Sequence, residues 1–260
     1  MRWNPERRHV GQPGGARRRS PPGAPLPEPD SGRSVSRRRS RVPWECHLLM
    51  RREFVRFRER TDRPRWVSAT YGPLLEGSVL DVGCDEAVLR DFVTRGSYVG
   101  IDRTRWADLH HDLQAGGPFP FEDEVFDTVV CTDVLEHLDN LHEVFGECVR
   151  VARRSLLISL PNCWSVARVP LRRGYGSFTH YGLPVDPPAD RHRWFFSHVE
   201  ARRFLEEMAR RHGLVLRDLV SLEKPRPVWL RALRRVRYPR VERYLNLYSH
   251  TLVAHLERDR

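Results

Sequence analysis

Two hundred and sixty residues, 40% of them hydrophobic, are enough to bury a full core without metal or disulfide staples. The formal charge of +11 excludes little by itself, because 44 of the 45 basic residues are arginine and Lys224 is the single lysine. That bias reads as genome composition rather than as a binding device. No apolar run approaches the ~18 residues of a membrane span, and the N-terminus lacks the apolar core of a secretory signal. Five scattered cysteines, Cys46, Cys84, Cys131, Cys148 and Cys163, form no C-x-x-C pair. They fit free thiols in a reducing cytoplasm and argue against structural zinc.

Residues 1–49 carry a net +7 and residues 224–243 another +7, which leaves a body of net −3. Two basic appendages on a slightly acidic body do not make a wrap-around nucleic-acid surface, so a nucleic-acid partner is not expected. Residues 1–45 are rich in Pro, Gly, Ser and Arg and nearly empty of large apolar side chains. Such a tail cannot offset its ordering entropy and is expected to be disordered. It reads as a basic anchor, as a transit peptide (which its prolines disfavour), or as codons upstream of a start near Met50. The last reading is the simplest.

From there the elements follow in order. Residues 48–60 and 66–76 read as helices padding the edge of a domain. GSVLDVG (77–83) is a strand, followed by a helix over 86–95 and a strand at SYVGID (97–102). A short third strand falls near Ala107–His111, and FDTVVCTD (126–133) makes a fourth. A helix over 135–152 then leads to a fifth strand, SLLISLP (155–161). After a loop-rich stretch come a helix over 198–212, a strand at 214–222 and a last strand at 246–257. Alternating strands and helices predict one α/β domain over 46–260, a doubly wound, seven-stranded and mainly parallel Rossmann-like sheet whose last strand is antiparallel.

The first strand ends Val79-Leu80-Asp81-Val82-Gly83-Cys84-Asp85-Glu86-Ala87, an apolar run closing on an acid and a glycine at the carboxyl edge where open α/β sheets bind ligands. Asp102 tips the next strand 21 residues after Asp81, the spacing at which a carboxylate reaches a ribose hydroxyl. Two carboxylates suit a nucleoside with a cationic amino-acid tail better than a dinucleotide pyrophosphate.

With these residues in place, 77–162 resembles the class I S-adenosylmethionine-dependent methyltransferases, in the branch of small bacterial enzymes with an E-H pair after the fourth strand. The matching blocks are VLDVGC, YVGID, HDLQ…PFPFEDEVFDTVVCTDVLEHL and RVARRSLLISLPN. The resemblance implies S-adenosylmethionine as cofactor, bound by the half 77–162, with a substrate or lid segment at 163–197 and further helices and strands at 198–260. It implies that Asp81 helps hold the methionine amino group and that Gly83 lets the backbone approach the ligand. Asp102 would bind the ribose hydroxyls with Arg103 beside the adenine, Asp112 and Leu113 would frame the adenine edge, and Cys131 and Thr132 would line the floor near the methionine. The family's G-x-G-x-G turn is here Gly83-Cys84-Asp85-Glu86-Ala87. Asp85 thus brings a charge and a side chain where backbone normally meets cofactor, with a demand for positive φ that Asp tolerates better than most.

Glu136-His137 follows the fourth strand, and His137 is the first candidate for general base or acceptor contact. In some relatives such a pair helps hold a divalent metal, but no further ligands are assigned from sequence and no metal site is predicted. The segment Gly176–Ser197 offers His180, Tyr181, Asp190 and His192 to an acceptor, with Trp194, Phe195 and Phe196 as anchors beneath it. Pro227–Arg240 reads as a basic amphipathic helix that docks its apolar stripe on the domain, touches anionic lipid at a membrane periphery, or meets a phosphorylated substrate. The expected activity is methyl transfer to oxygen, nitrogen or carbon of a small molecule, with glycosylated, lipid-linked and secondary metabolites as the candidate acceptors. A non-catalytic binding or regulatory protein on the same scaffold is the alternative suggested by Asp85, and an RNA methyltransferase a lesser one. The oligomeric state is not readable.

Overall fold

β2 (Ser78–Val82) is an interior strand of the sheet, buried on both faces and paired in parallel with β3 (Ser97–Asp102) on one side and β5 (Phe126–Thr132) on the other. The computed structural model describes residues 50–259 apart from 179, 184 and 187–189. The expectations about residues 1–45, and Cys46, lie outside the described residues. From β3 the chain steps outward to β4 (Leu109–His110) and then returns across β2 to β5. This reversal between β2 and β5 opens a crevice at the carboxyl ends of the strands. β6 (Ala152–Pro161), β8 (Ser249–Arg258), β7 (Leu214–Glu223) and β1 (Arg51–Phe54) complete an eight-stranded sheet in the order β1-β7-β8-β6-β5-β2-β3-β4. Only β8 runs antiparallel to its neighbours.

Both faces of the sheet are covered, so adjacent residues of a strand enter different cores. Leu80, Val129 and Leu156 face α2 (Leu141–Val151) and α4 (His198–Arg211), meeting Phe145, Leu205 and Met208. Val79, Val130 and Leu157 face α1 (Asp62–Tyr71), meeting Val67 and Tyr71. α4 starts where it does because Ser197 and Glu200 form a reciprocal capping box, each side chain bonded to the other's main-chain N–H.

Several expected elements change. The described part of the helix expected over 48–60, residues 50–60, is not helical: Arg51–Phe54 form an eighth, edge strand in parallel register with Val220–Glu223. Arg51 is tied to Asp218 at 2.6 Å and Arg52 Nε donates to Glu223 at 2.8 Å, so an open sheet edge and two cross-strand ion pairs outweigh a weak local preference. The helix expected over 86–95 is reduced to a 3₁₀ turn at Val88–Phe92. The helix expected over 135–152 is split into a 3₁₀ turn at Leu135–His137 and α2. The stretch after β6 holds an unforeseen helix, α3 (Cys163–Arg173), stopped by Gly174 at φ 71°. α5 (Val228–Arg237) forms within the basic stretch, and α6 (Val241–Tyr248) occupies the start of what was expected to be the last strand.

Candidate active site

The turn after β2 keeps a left-handed backbone at alternate residues: Gly83 at φ 72°, Asp85 at 48° and Ala87 at 54°. These are the three glycine positions of the G-x-G-x-G pattern, so the chain has retained the turn's conformation after replacing two of its glycines. For a residue with a Cβ the left-handed state costs roughly 1–2 kcal/mol. Gly83 is the position where replacement is also barred by space, since a Cβ there would stand 2.5 Å from Val134 Cγ2.

Two supports hold Asp85. Asp85 N–H donates to Asp102 Oδ2 at 3.0 Å, and Thr104 Oγ1 donates to the Asp85 carbonyl. The Asp85 carboxylate pairs with the Arg60 guanidinium, which also reaches Glu86 at 3.0 Å. The negative charge that threatened the cofactor's carboxylate is therefore matched by a cation from the segment preceding α1. Sequence reading had no signal for this partner 25 residues upstream.

Asp102 projects from the end of β3. Its oxygens accept from the N–H groups of Asp85 and Thr104, at 3.0 and 3.1 Å, and each retains a lone pair for a hydroxyl. Asp81 is buried at 6% exposure, and Tyr98 O–H donates to it at 2.8 Å. Burial pushes its carboxyl up to about 7, against the opposing pull of the Tyr98 hydrogen bond. A bound cation would favour the ionised form. Asp81, Gly83, Cys84, Asp85 and Thr132 line a cavity of about 250 Å³ beside α1, into which Arg60 and Arg63 also reach. Arg63 pairs with Asp133, whose carboxylate accepts from Ser159 Oγ at 2.8 Å. Arg63 was not foreseen, because a lone arginine in a helix shows nothing of which way it faces.

Cys131 does not belong to this wall. It is fully buried on the α2 side among Cys148 and its neighbours, while Val130 and Thr132 face the cavity. The alternation of a strand sends neighbours to opposite faces, so the two residues expected to line the floor together could not both do so.

A larger cavity of about 700 Å³ shares Arg63, Gly83, Asp85 and Asp133 with the first and continues over Asp102, Arg103, Asp112 and Leu113. Its size is that of pockets for drug-sized ligands. Asp112 also caps the 3₁₀ turn at Leu113–Ala115 by accepting from Gln114 N–H at 3.0 Å. The far wall is a cluster of titratable side chains: Glu136, His137, His180, Asp190 and His192.

His137 Nδ1 lies 3.2 Å from the Arg191 carbonyl and 3.3 Å from Asp190 Oδ1. Two acceptors around Nδ1 place the proton there and leave Nε2 with a lone pair. His192 stacks on His180 at 4.3 Å, and its Nδ1–H donates to the Tyr181 hydroxyl oxygen at 2.8 Å. The tyrosine in turn donates to the Trp194 carbonyl, also at 2.8 Å. Burial, reinforced by the neighbouring histidines, drives His192 down to about 4, so the ring is neutral at neutral pH. Tyr181 itself does not line the cavity; it positions His192. Trp194 anchors the loop by donating to the Leu138 carbonyl at 2.7 Å, Phe196 packs on the core, and Phe195 stays half exposed.

Glu136 is almost wholly buried, and its Oε2 has no hydrogen-bond partner among the described residues. Desolvation, then the nearby Asp133 charge, raises its carboxyl well above the usual range. Ligand atoms of Glu136, His137 and His192 lie within 4.8 Å of one another, as do those of His180, Asp190 and His192. Any further ligands for an ion at Glu136-His137 would come from a loop more than 40 residues further on. One carboxyl group and two imidazoles fit a divalent cation, and a buried carboxyl oxygen without a partner among the described residues is the atom such an ion would satisfy.

A methyltransferase-domain family model matches residues 47–219. The chain belongs to the class I S-adenosylmethionine-dependent methyltransferases. S-adenosylmethionine is accordingly the cofactor of this methyltransferase. The fold is similar to that of a small RNA methyltransferase at 15% identity and a TM-score of 0.50, over 80% of this chain and 27% of that one. A methyltransferase from Archaeoglobus fulgidus gives 17% identity and a TM-score of 0.49, over 78% of this chain and 96% of that one. Magnesium protoporphyrin IX methyltransferase from Synechocystis gives 16% and 0.43, over 76% and 80%. Identities this low bear on fold alone. No curated protein matches the methyltransferase by sequence.

Proposed function

We propose that the protein transfers a methyl group from S-adenosylmethionine to a small-molecule acceptor held beneath the 176–197 segment. The observation that carries this reading is the single cavity joining Gly83, Asp85 and Asp102 to His137, His180 and His192. A nucleoside bound at one end would present its sulfonium toward the other. The cofactor supplies an electrophilic methyl carbon, whose bond to sulfur breaks as the acceptor atom bonds to it, leaving a neutral thioether. Asp102 holds the ribose hydroxyls, Arg103, Asp112 and Leu113 border the adenine, and Asp81 faces the amino group. Arg63 is placed to meet the methionine carboxylate.

Alignment is most of what such a displacement needs. Where the acceptor is a hydroxyl or ammonium, its proton goes to His137 Nε2, and the Asp190 carboxylate beside Nδ1 stabilises the imidazolium formed. His192, neutral and fixed by Tyr181, shapes the acceptor's seat. A divalent ion held by Glu136, His137 and His192 is the second reading, favoured by the unpartnered Glu136 oxygen. It would supply a Lewis acid that lowers the pKa of an acceptor hydroxyl. The four described cysteines, all free and buried, support a cytoplasmic setting, and no described helix is long and apolar enough to cross a membrane.

Calorimetry with S-adenosylmethionine and S-adenosylhomocysteine tests the reading. Binding in the micromolar range, weakened about tenfold or more by Asp102→Ala with melting unchanged, is the expected result. A cooperatively folded protein that binds neither compound would overturn it in favour of a non-catalytic scaffold.

A further inference from the structure

α5 is mounted with its polarity reversed. Its inner face carries Leu230, Arg231, Arg234 and Arg235, half-buried, and its outer face carries Val228, Trp229, Leu233 and Val236, between 59% and 79% exposed. No residue of the helix is buried. The docked apolar stripe that sequence offered as one alternative is therefore not what the structure holds. The inner arginines are seated on aromatic faces instead: Arg231 lies 4.0 Å from the Phe54 ring centre, Arg234 4.3 Å from Tyr248 and Arg235 5.3 Å from Tyr244. Arg168 of α3 covers Tyr248 at 4.6 Å, so α3 and α5 share one aromatic support. A helix facing only water hides its tryptophan and leucine and exposes its arginines. Here the described residues leave an apolar stripe open, and on α3 Leu171 adds a side chain 68% exposed.

Position and charge say what covers this face. α3 follows β6 and α5 follows β7, two strands of the same direction, so both helices stand at the carboxyl end of the sheet where the crevice opens. Lys224, Arg226, Arg237 and Arg240 surround the stripe, all exposed, and Arg172 and Arg173 flank Leu171. Over 224–243 Glu242 is the only acid in a segment of net +7.

We propose that the outer face of α5, with the adjoining end of α3, docks the protein on a membrane surface bearing anionic phospholipid. The apolar stripe enters the boundary between headgroups and acyl chains, and the flanking cations lie at headgroup level. A second copy of the chain fits less well, because a two-fold contact would set this positive face against itself. Nucleic acid would require the arginines to point outward toward phosphates, and three of them are turned inward. Docking would bring the crevice mouth to the lipid plane. The proposal is independent of the transfer reading, since binding is measured without turnover.

Flotation of the full chain with vesicles of phosphatidylcholine plus phosphatidylglycerol, against phosphatidylcholine alone, is the test. Because residues 1–49 also carry +7, a variant decides it. Wild type should float with the anionic vesicles and be released by salt, and Trp229→Glu/Leu233→Glu should lose about tenfold or more of the bound fraction with its melting unchanged. The emission difference between wild type and Trp229→Phe should shift to the blue on anionic vesicles. Undiminished flotation of the double variant, equal flotation on phosphatidylcholine alone, or no flotation of wild type would each overturn the proposal. So would a dimer that the same two substitutions dissociate, which would make a second copy the occupant.

Discussion

On the proposed cofactor wall of the crevice the decisive groups sit at strand ends and on a turn fixed by main-chain bonds. On the proposed acceptor wall they are His137, on the turn after β5, and side chains of a long loop bonded chiefly to one another. Gly83, Asp85 and Asp102 are placed by parallel register between β2 and β3 and by N–H groups donated to a carboxylate. His137, His180, Asp190 and His192 are placed by stacking, by a shared carboxylate and by Tyr181. A wall built on the scaffold serves a ligand that stays the same across the class, whereas a wall built of loop side chains can change its substrate without disturbing the sheet. The contrast predicts that substitutions on the two walls will separate cofactor affinity from turnover.

The largest effect should come from the acceptor wall. His137→Ala is expected to lower kcat about a hundredfold or more for an acceptor that must lose a proton, with S-adenosylmethionine affinity unchanged. Tyr181→Phe, which frees His192 without touching the cavity, should raise the acceptor KM more than it lowers kcat. Steady-state kinetics paired with calorimetry checks both. Unaltered turnover in His137→Ala would remove its role as base, and a parallel loss of cofactor affinity would erase the distinction between the walls. If the cluster holds a divalent ion, a chelator should lower activity and added Mg²⁺, Mn²⁺ or Zn²⁺ restore it, with Glu136→Gln insensitive to both.

Dependence on pH should divide the walls next. Asp81 is raised by burial to about 7 from 3.8. A ligand ammonium prefers the carboxylate, so cofactor affinity should climb as pH rises toward 7, at most about tenfold per unit, and then level off. Asp81→Asn should flatten that slope; a flat wild-type profile would show that Asp81 does not face the amino group. For stability the same group acts the other way: its contribution is full below pH 3.8 and is lost as pH rises through 7. His192, His198 and His250, each pushed down to about 4 from 6.5 mainly by burial, contribute stability that is present above pH 6.5 and lost as pH falls toward 4. With three such histidines the urea midpoint should fall on acidification below pH 6.5, and His198→Gln should reduce the drop.

What sequence could show of this molecule follows the same division. The alternation of apolar strands and helices, Gly83, and the spacing from Asp81 to Asp102 are local signals, and from them the parallel sheet and the cofactor crevice are legible. β1 was not, because Arg51–Phe54 become a strand only when the open edge of β7 is beside them. The pairing of Arg60 with Asp85 and of Arg63 with Asp133 is likewise set by how α1 packs. His180, Asp190 and His192 could be nominated by type, but their convergence on Glu136-His137 depends on how the loop folds back over the fourth strand's successor turn. α5 was misleading for a different reason. Its amphipathic pattern was read correctly, yet aromatic rings on β1 and α6 drew the arginines inward and reversed the face that pattern would bury.

The smallest effect bears most directly on how the rigid wall tolerates its missing glycines. Ala87, at φ 54° with no polar side chain to compensate, should be stabilised by about 1 kcal/mol on Ala87→Gly, read as a higher denaturant midpoint. Asp85→Gly relieves similar strain but gives up the Arg60 pair, so its gain should be smaller. The two side chains are 63% exposed, which limits the pair to a surface-type contribution. Its importance is to the ligand: Arg60→Ala leaves the Asp85 charge uncompensated beside the methionine carboxylate and should weaken cofactor binding severalfold. Adding Asp85→Gly to that variant should restore the affinity. A double-mutant cycle measured by calorimetry reads this directly, because the coupling exists only if Arg60 acts through Asp85. Equal losses in Arg60→Ala and in the double variant would instead assign Arg60 its own contact with the cofactor. Asp85 would then be a tolerated strain with no partner in binding.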